Sequence, residues 1–344
     1  MPRSAAEWVL LLSSVLSPFV LVGIAEVGVR TCTNIDPLGN SEHLFIADAY
    51  GTSNGNAPNT EAISFGQTVY TDEHGFRIPK GGVPGDESKS EALLILGDSI
   101  GFGPALEESD TFAGLLRARF PSKRIYNSSV IGYSTPDYRN VVAEFLPVHE
   151  EVKTVVLAYS LNDISSNSAQ QIDQYLKDKK PDFIPEQKLT ETLRGFSLLS
   201  DVNDYLRSRS ELYLLLRHRL LGTQLRDWKE VLALYSPERA ADDEQSVANV
   251  AEISAMLKAR GIRFIVILCP FEYQLRKPTD PETQIPQRVL SELLTKHGVG
   301  YIDPRPYFDA GRPSADYFLA YDAAHFSALG HRVVADVISD TLRR

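Results

Sequence analysis

Ala92-Leu93-Leu94-Ile95-Leu96-Gly97-Asp98-Ser99-Ile100-Gly101 is the stretch on which the reading of this chain turns. Its first five residues form a short, continuously apolar run, as expected of a strand covered on both faces in a parallel sheet. Glycine, aspartate and serine then turn tightly into a helical pattern. Ser99 therefore stands at the carboxyl edge of a strand, where open α/β sheets bind ligands. It also stands at a helix N-terminus, where backbone N–H groups and the helix dipole favour a developing negative charge. Read alone the block is ambiguous, because small residues at such a turn also serve close packing. Phosphate binding is set aside: Gly97, Gly101 and Gly103 miss the G-x-G-x-x-G register, since residue 106 is leucine, and no G-K-[ST] follows.

Working outward, apolar runs recur at 92–96, 124–126, 154–159, 264–269 and 300–302. Helical patterns lie between and after them, at 111–120, 136–145, 245–260, 287–297 and 328–342. This alternation predicts an α/β fold with a parallel sheet covered on both faces. One connection is abnormal, because about a hundred residues separate Asp163 from the strand at Phe264, where one crossover helix would suffice. The excess, roughly 165–243, has a polar stretch and then Val202, Tyr205, Leu206, Leu212, Leu215, Leu216 and Leu220 at helical spacing. It reads as a helical insertion and a candidate lid. Arg207, Arg209, Arg217 and Arg219 make it locally basic, as a solvated face or as a contact with anionic headgroups or substrate.

The N-terminus carries an uncharged run, Trp8–Ala25, which as a helix spans ~27 Å, close to the bilayer core. Arg3 ahead of it favours a cytoplasmic N-terminus with the remainder outside. A cleaved signal is the alternative, with Gly23-Ile24-Ala25 as a small-x-small site. Arg30 and Thr31 precede Cys32 and rule out a lipobox. The anchor and signal readings, unlike the third possibility of a buried soluble helix, place the bulk of the chain on the extracytoplasmic side. Residues 1–32 are then the anchor or signal segment, 33–90 a linker and irregular lead-in rich in Gly, Asn, Ser, Thr and Pro, and 91–344 the main domain.

Composition narrows the classes. The chain has 344 residues, 43% hydrophobic and 23% charged, enough for a sizeable core and unlike a disordered or disulfide-framework protein. A net charge of −10 repels a phosphate backbone, so nucleic acid is not an expected partner. Cys269 ends an apolar run and reads as core, and Cys32 and Cys269 are too few for a disulfide framework or a Cys-rich zinc site. No cluster has metal-ligand spacing, so neither a metal nor another cofactor is expected.

Three further blocks carry candidate chemistry. After the run at 124–126 comes Asn127-Ser-Ser-Val-Ile-Gly132-Tyr133, where glycine lets backbone approach a ligand or simply makes a turn. After 154–159 comes Ser160-Leu161-Asn162-Asp163, which puts an amide, or an Asx-turn, at the same edge. The Ser99 N–H, Gly132 and Asn162 could together supply three donors to one oxyanion. Near the C-terminus stands Asp322-Ala323-Ala324-His325. A serine nucleophile needs a base and the base needs an orienting acceptor, and this spacing lets Asp322 orient His325. His331, within the last helical pattern, is the competing base and reads better as packing.

The four ordered blocks, Gly97-Asp98-Ser99, Gly132, Asn162-Asp163 and Asp322-x-x-His325, resemble the SGNH (GDSL) hydrolases over roughly 92–164 and 262–343. The resemblance implies a three-layer α/β/α sandwich with a five-stranded parallel sheet. It implies Ser99 as nucleophile, His325 as base and Asp322 as its partner, with Ser99 N–H, Gly132 N–H and the Asn162 amide as oxyanion hole. Residues 71–77, Thr-Asp-Glu-His-Gly-Phe-Arg, are similar to the lead-in of membrane-anchored relatives. Two departures stand out: Ser160 occupies a position where the family usually has glycine, and Phe326 follows His325 where proline is frequent. Gly97-x-Ser99-x-Gly101 also fits the α/β-hydrolase nucleophile elbow, but that fold places the serine on a later strand, after an HGGG-type loop absent here. The reading is thus an extracytoplasmic serine esterase acting on an ester of an envelope glycan, a lipid or a small molecule. An acyltransferase to an envelope polysaccharide would use the same residues, and a non-catalytic envelope-binding scaffold would keep only the fold.

Overall fold

The computed structural model of the chain describes residues 5–33, 35, 37–52, 54–85, 88–164, 202–203, 205–221, 223–320 and 322–344. Helix α1 (Ala5–Cys32) comes first. Five short strands follow, β1 (Phe45–Ala47), β2 (Asn54–Asn56), β3 (Glu61–Ser64), β4 (Gln67–Thr71) and β5 (Arg77–Ile78). The apolar run becomes β6 (Glu91–Gly97), which leads directly into α2 (Ser99–Phe102). Then come α3 (Phe112–Arg119), β7 (Lys123–Asn127), α4 (Thr135–Phe145) and β8 (Val152–Tyr159). The insertion contributes α5 (Glu211–Leu221) and α6 (Thr223–Leu234), and α7 (Ala240–Ala259) returns the chain to β9 (Arg263–Leu268). Helices α8 (Glu272–Arg276) and α9 (Ile285–Lys296), strand β10 (Tyr301–Ile302) and α10 (Ala328–Leu342) complete the order.

The five apolar runs form one sheet in the order β10-β9-β8-β6-β7, parallel throughout. Leu93, Leu94 and Ile95 of β6 and Val155, Val156 and Leu157 of β8 have no exposed surface. That two-sided burial is why these strands read as unbroken apolar runs rather than alternating ones. Helices α3 and α10 pack together in one layer, and α4, α7 and α9 in the other, which makes the expected three-layer α/β/α sandwich. All carboxyl ends of the strands share one edge, and the neighbours β7, β6 and β8 deliver Gly132, Ser99 and Asn162 to it. Helix α7 starts at Ala240 rather than near Gln245, with Asp242 and Asp243 in its first turn, where acidic side chains favour a helix N-terminus.

The stretch 33–90 differs from the expected irregular lead-in. Its strands form a two-stranded sheet, β1-β2, and a three-stranded one, β3-β4-β5, both antiparallel. The β3–β4 hairpin turns on Phe65 and Gly66, with φ of 49° and 78°, the two positive values that a tight hairpin requires. The segment Thr71–Arg77 is held by Asp72, which accepts from the N–H groups of His74 at 2.9 Å and Phe76 at 2.8 Å. Gly75 is required there, because a Cβ would lie 2.3 Å from the Asn56 carbonyl oxygen. Buried Arg77 donates to the carbonyls of Phe102, Gly103 and Leu106 and so grips the loop just after α2.

In α1, Ser13–Cys32 is a 20-residue segment of mean hydropathy 1.6, long and apolar enough to cross a membrane or to serve as a signal sequence. The first part of the insertion, 165–201, on which the candidate lid partly falls, lies outside the described residues. Among the described residues that follow, α5 and α6 are helical, as the apolar spacing predicts, and Trp228 of α6 stacks on Tyr273 with ring centroids 5.4 Å apart.

Candidate active site

The turn after β6 is built for close approach. A Cβ on Gly97 would sit 3.1 Å from the Ser129 hydroxyl, and one on Gly101 only 2.3 Å from it. Both glycines of Gly97-x-Ser99-x-Gly101 thus let α2 press onto the loop after β7. That loop is stitched in turn: the Ser128 hydroxyl donates to the Ile95 carbonyl at 2.7 Å and the Asn127 amide to the Gly101 carbonyl at 3.1 Å. Asp98 caps α2, accepting the Ile100 N–H at 2.8 Å. Burial pushes the Asp98 carboxyl up, against the pull of that N–H, the His325 charge and the Ser99 hydroxyl.

Ser99 and His325, distant in sequence, meet here. The Ser99 Oγ lies 2.9 Å from His325 Nε2, and His325 Nδ1 lies 2.6 Å from Asp322 Oδ2. The other Asp322 oxygen accepts the N–H groups of Ala324 at 2.8 Å and His325 at 2.9 Å. Burial raises the Asp322 carboxyl, but the His325 charge and ring N–H with these two amides outweigh it, and the group is held below its ordinary value. An ionised Asp322 can only accept, so Nδ1 carries the proton and Nε2 is left to take one from Ser99.

The loop that presents Asp322 and His325 is closed by a bridge between Phe318 and Phe326, and the Ala323 carbonyl accepts the Glu272 N–H at 2.8 Å. Phe326, the departure from proline, is 1% exposed and packs on Phe308, Phe318 and His331. It anchors the loop by filling the core rather than by stiffening the backbone. His331 is buried and accepts the Phe112 N–H at 3.1 Å through Nδ1. Burial, then the charges of Arg77 and His325, push it down to about 3, so it stays neutral and packs, as its helical position predicts.

Gly132 has φ of 89° and nothing within 4 Å of the place a Cβ would take, so its backbone faces open space. Asn162 is exposed at the same edge, on a loop fixed from below. Asp163 Oδ2 accepts the Ser160 N–H and the Tyr138 hydroxyl, each at 2.9 Å, and the Tyr235 hydroxyl donates to the Leu161 carbonyl at 2.8 Å. Burial, reinforced by Asp98, pushes Asp163 well above the usual carboxylate range. Ser160, the other departure, donates its hydroxyl to Asn162 Oδ1, which turns the amide nitrogen away from that contact.

Sequence reasoning missed Phe65. From the tip of the β3–β4 hairpin its ring stands edge-on to the His325 imidazole, centroids 5.5 Å apart at 78°. The only signal was the Phe65-Gly66 pair, a weak one, because Asn or Asp is the usual partner of glycine in such turns. Among the described residues no group of His, Cys, Asp and Glu could hold a metal ion.

A serine, histidine and aspartate in hydrogen-bonded line at the carboxyl edge of a parallel α/β sheet is the layout of a serine-hydrolase class. Residues 95–333 match the GDSL-like lipase/acylhydrolase family. The chain belongs to that family and is an ester hydrolase of the SGNH/GDSL type. Solved structures similar to it include TesA, at 15% identity and TM-score 0.42, covering 73% of this chain and 98% of that one. A lipolytic G-D-S-L family protein from Veillonella parvula shows 13% identity and TM-score 0.42, over 74% and 99% of the two chains. A mutant of the acetyl-xylooligosaccharide esterase Axe2 from Geobacillus shows 16% identity and TM-score 0.40, over 73% and 93%. No curated protein matches the sequence.

Proposed function

We propose that the protein is a membrane-tethered, extracytoplasmic serine esterase in which Ser99 is the nucleophile, His325 the general base and Asp322 its orienting partner. The observation that carries this reading is the position of His325, 2.9 Å from the Ser99 hydroxyl and 2.6 Å from the Asp322 carboxylate. In the first step Ser99 Oγ bonds to the ester carbonyl carbon while its proton passes to His325 Nε2. The imidazolium gives that proton to the departing alcohol, leaving an acyl group on Ser99. Water then repeats the sequence, its proton taken by His325, and releases the acid. The Ser99 N–H, the Gly132 N–H and the Asn162 amide are the donors assigned to the oxyanion of each tetrahedral intermediate.

The tether is residues 1–32, the catalytic domain 91–344. Arg3, ahead of the apolar run, supports an outward-facing domain. The substrate class is an acyl ester of an envelope glycan, a lipid or a small molecule. Intact-mass spectrometry during turnover of p-nitrophenyl acetate tests the covalent step. An acetyl adduct that maps to Ser99 and decays with turnover is expected. Turnover with no adduct on Ser99, even after rapid acid quench, overturns the assignment.

A further inference from the structure

Glu26 is the first charge after the uncharged run Trp8–Ala25, and its partners explain why a carboxylate interrupts an apolar helix. It accepts the Ser210 hydroxyl at 2.7 Å, the Glu211 N–H at 3.0 Å and the Leu212 N–H at 3.1 Å. These donors form the first turn of α5, so a side chain of α1 caps a helix of the distant insertion, where a carboxylate is most favourable. Arg30, one turn further along α1, bonds Glu26 at 2.8 Å, donates to the Arg209 carbonyl and lies 3.7 Å from Glu211. The Leu38 N–H adds a bond to the Arg207 carbonyl at 3.1 Å. Helix α5 is therefore fixed to the end of the apolar segment of α1.

Its faces differ sharply. Leu214 and Arg217 point into the protein, at 0% and 5% exposed, whereas Leu216 and Leu220 are 49% and 73% exposed. Leu212, Leu216 and Leu220 follow one another at four-residue spacing, which makes one stripe along the helix. Tyr205, in the segment just before α5, is also exposed, with the Arg209 guanidinium 4.9 Å from its ring. A leucine stripe preceded in sequence by an exposed tyrosine and an arginine is the composition of a helix at a membrane interface, apolar side chains down and cations at the headgroups. The stripe begins at Leu212, which is bonded to Glu26, the residue at which the apolar run of α1 ends. With the uncharged run Trp8–Ala25 as the membrane-spanning part of α1, the stripe starts at the level where α1 leaves the bilayer.

We propose that α5 lies on the bilayer surface that α1 crosses, with Leu216 and Leu220 in the interface, and that Glu26 is the latch that holds it there. This rests on α1 being retained as a membrane helix. The insertion then does more than lengthen the chain: it gives the esterase a second foothold and a fixed attitude on the membrane, which a single flexible tether would not.

The test uses the full-length protein in phosphatidylcholine–phosphatidylglycerol vesicles, in a Cys32→Ser background, with nitroxide labels at Leu220→Cys, Val20→Cys and Lys153→Cys. Accessibility to oxygen and to a water-soluble nickel chelate reports depth. The expected result is a Val20 label deep in the bilayer, a Leu220 label shielded from nickel at shallower depth, and a fully aqueous Lys153 label. A buried Val20 label with a Leu220 label as nickel-accessible as Lys153 overturns the proposal while leaving the anchor intact. An aqueous Val20 label removes the anchor and the proposal together. Glu26→Leu should expose the Leu220 label severalfold to nickel and leave Val20 inserted; unchanged shielding of Leu220 in that variant refutes the latch.

Discussion

Replacing Ser160 by alanine isolates one hydrogen bond behind the proposed oxyanion site. The Ser160 hydroxyl donates to Asn162 Oδ1, while the Ser160 N–H keeps its own bond to Asp163 at 2.9 Å. The loop backbone therefore stays held when the hydroxyl goes. Asn162 is exposed, so its carbonyl takes water instead of being left unsatisfied in the interior. What is lost is the net worth of one neutral hydrogen bond, ~0.5–1.5 kcal/mol, spent on orienting the amide. That corresponds to a fall in kcat of about two- to twelvefold, with KM nearly unchanged, because the amide meets the oxyanion chiefly in the transition state. Asn162→Ala removes the donor itself and should lower kcat on the order of 10²–10³. Since Ser160 acts only through Asn162, adding Ser160→Ala to Asn162→Ala should cost nothing more. The assay is kcat and KM on a short-chain p-nitrophenyl ester for the wild type, both single variants and the double variant, with thermal melts to confirm the fold. Losses that multiply in the double variant, or a Ser160→Ala enzyme with wild-type kcat, would refute the reasoning.

Asp322→Asn removes the acceptor that fixes the His325 tautomer and should lower kcat on the order of 10³–10⁴ with KM little changed; a loss under tenfold in steady-state kinetics contradicts that role. Phe65→Gly removes an aromatic contact of ~0.5–1.5 kcal/mol but frees a backbone held at φ of 49°. Its melting temperature should therefore stay close to that of the wild type, while kcat/KM falls about two- to twelvefold; unchanged kinetics would make Phe65 a bystander. Burial raises Asp243 from 3.8 to about 7, against the pull of Arg239 and with a push from Asp242. Between those values the unfolded chain has released its proton while the folded state still holds one, so the stability present at low pH is lost progressively as pH rises from 3.8 through about 7. Asp243→Asn, which does not titrate, should consequently gain in melting temperature relative to the wild type as pH rises from 4 to 8, and a difference that stays flat or shrinks over that range in a fluorescence melt would sink the assignment.

The parallel sheet and the placement of Ser99, Gly132 and Asn162 at its edge were legible because two-sided burial writes itself as continuous apolar runs ending in turn residues. Asp322 and His325 were legible as a pair through their spacing of three, whereas their meeting with Ser99 depends on the long loop after β10, which carries the chain back from the far edge of the sheet so that α10 packs on α3. The lead-in was not. Its strands have two to five residues, too short for a period-two pattern, and it is held by polar contacts such as those of Asp72 and Arg77 rather than by an apolar run. Phe65 was invisible for the same reason, since its role depends on a turn whose tip happens to reach His325. Ser160 reads in the sequence only as a departure from glycine, because a sequence does not say that its hydroxyl has Asn162 to hold. Glu26 likewise reads as a flaw in an apolar helix until the first turn of α5 is placed against it.

The nucleophilic character of Ser99 is tested most directly by a fluorophosphonate probe, which phosphonylates an activated serine, applied to folded wild type and to Ser99→Ala beside hydrolysis of a chromogenic ester. The expected result is stoichiometric labelling of Ser99 with parallel loss of turnover, both absent in Ser99→Ala. Undiminished turnover and labelling in a folded Ser99→Ala protein would contradict the mechanism outright.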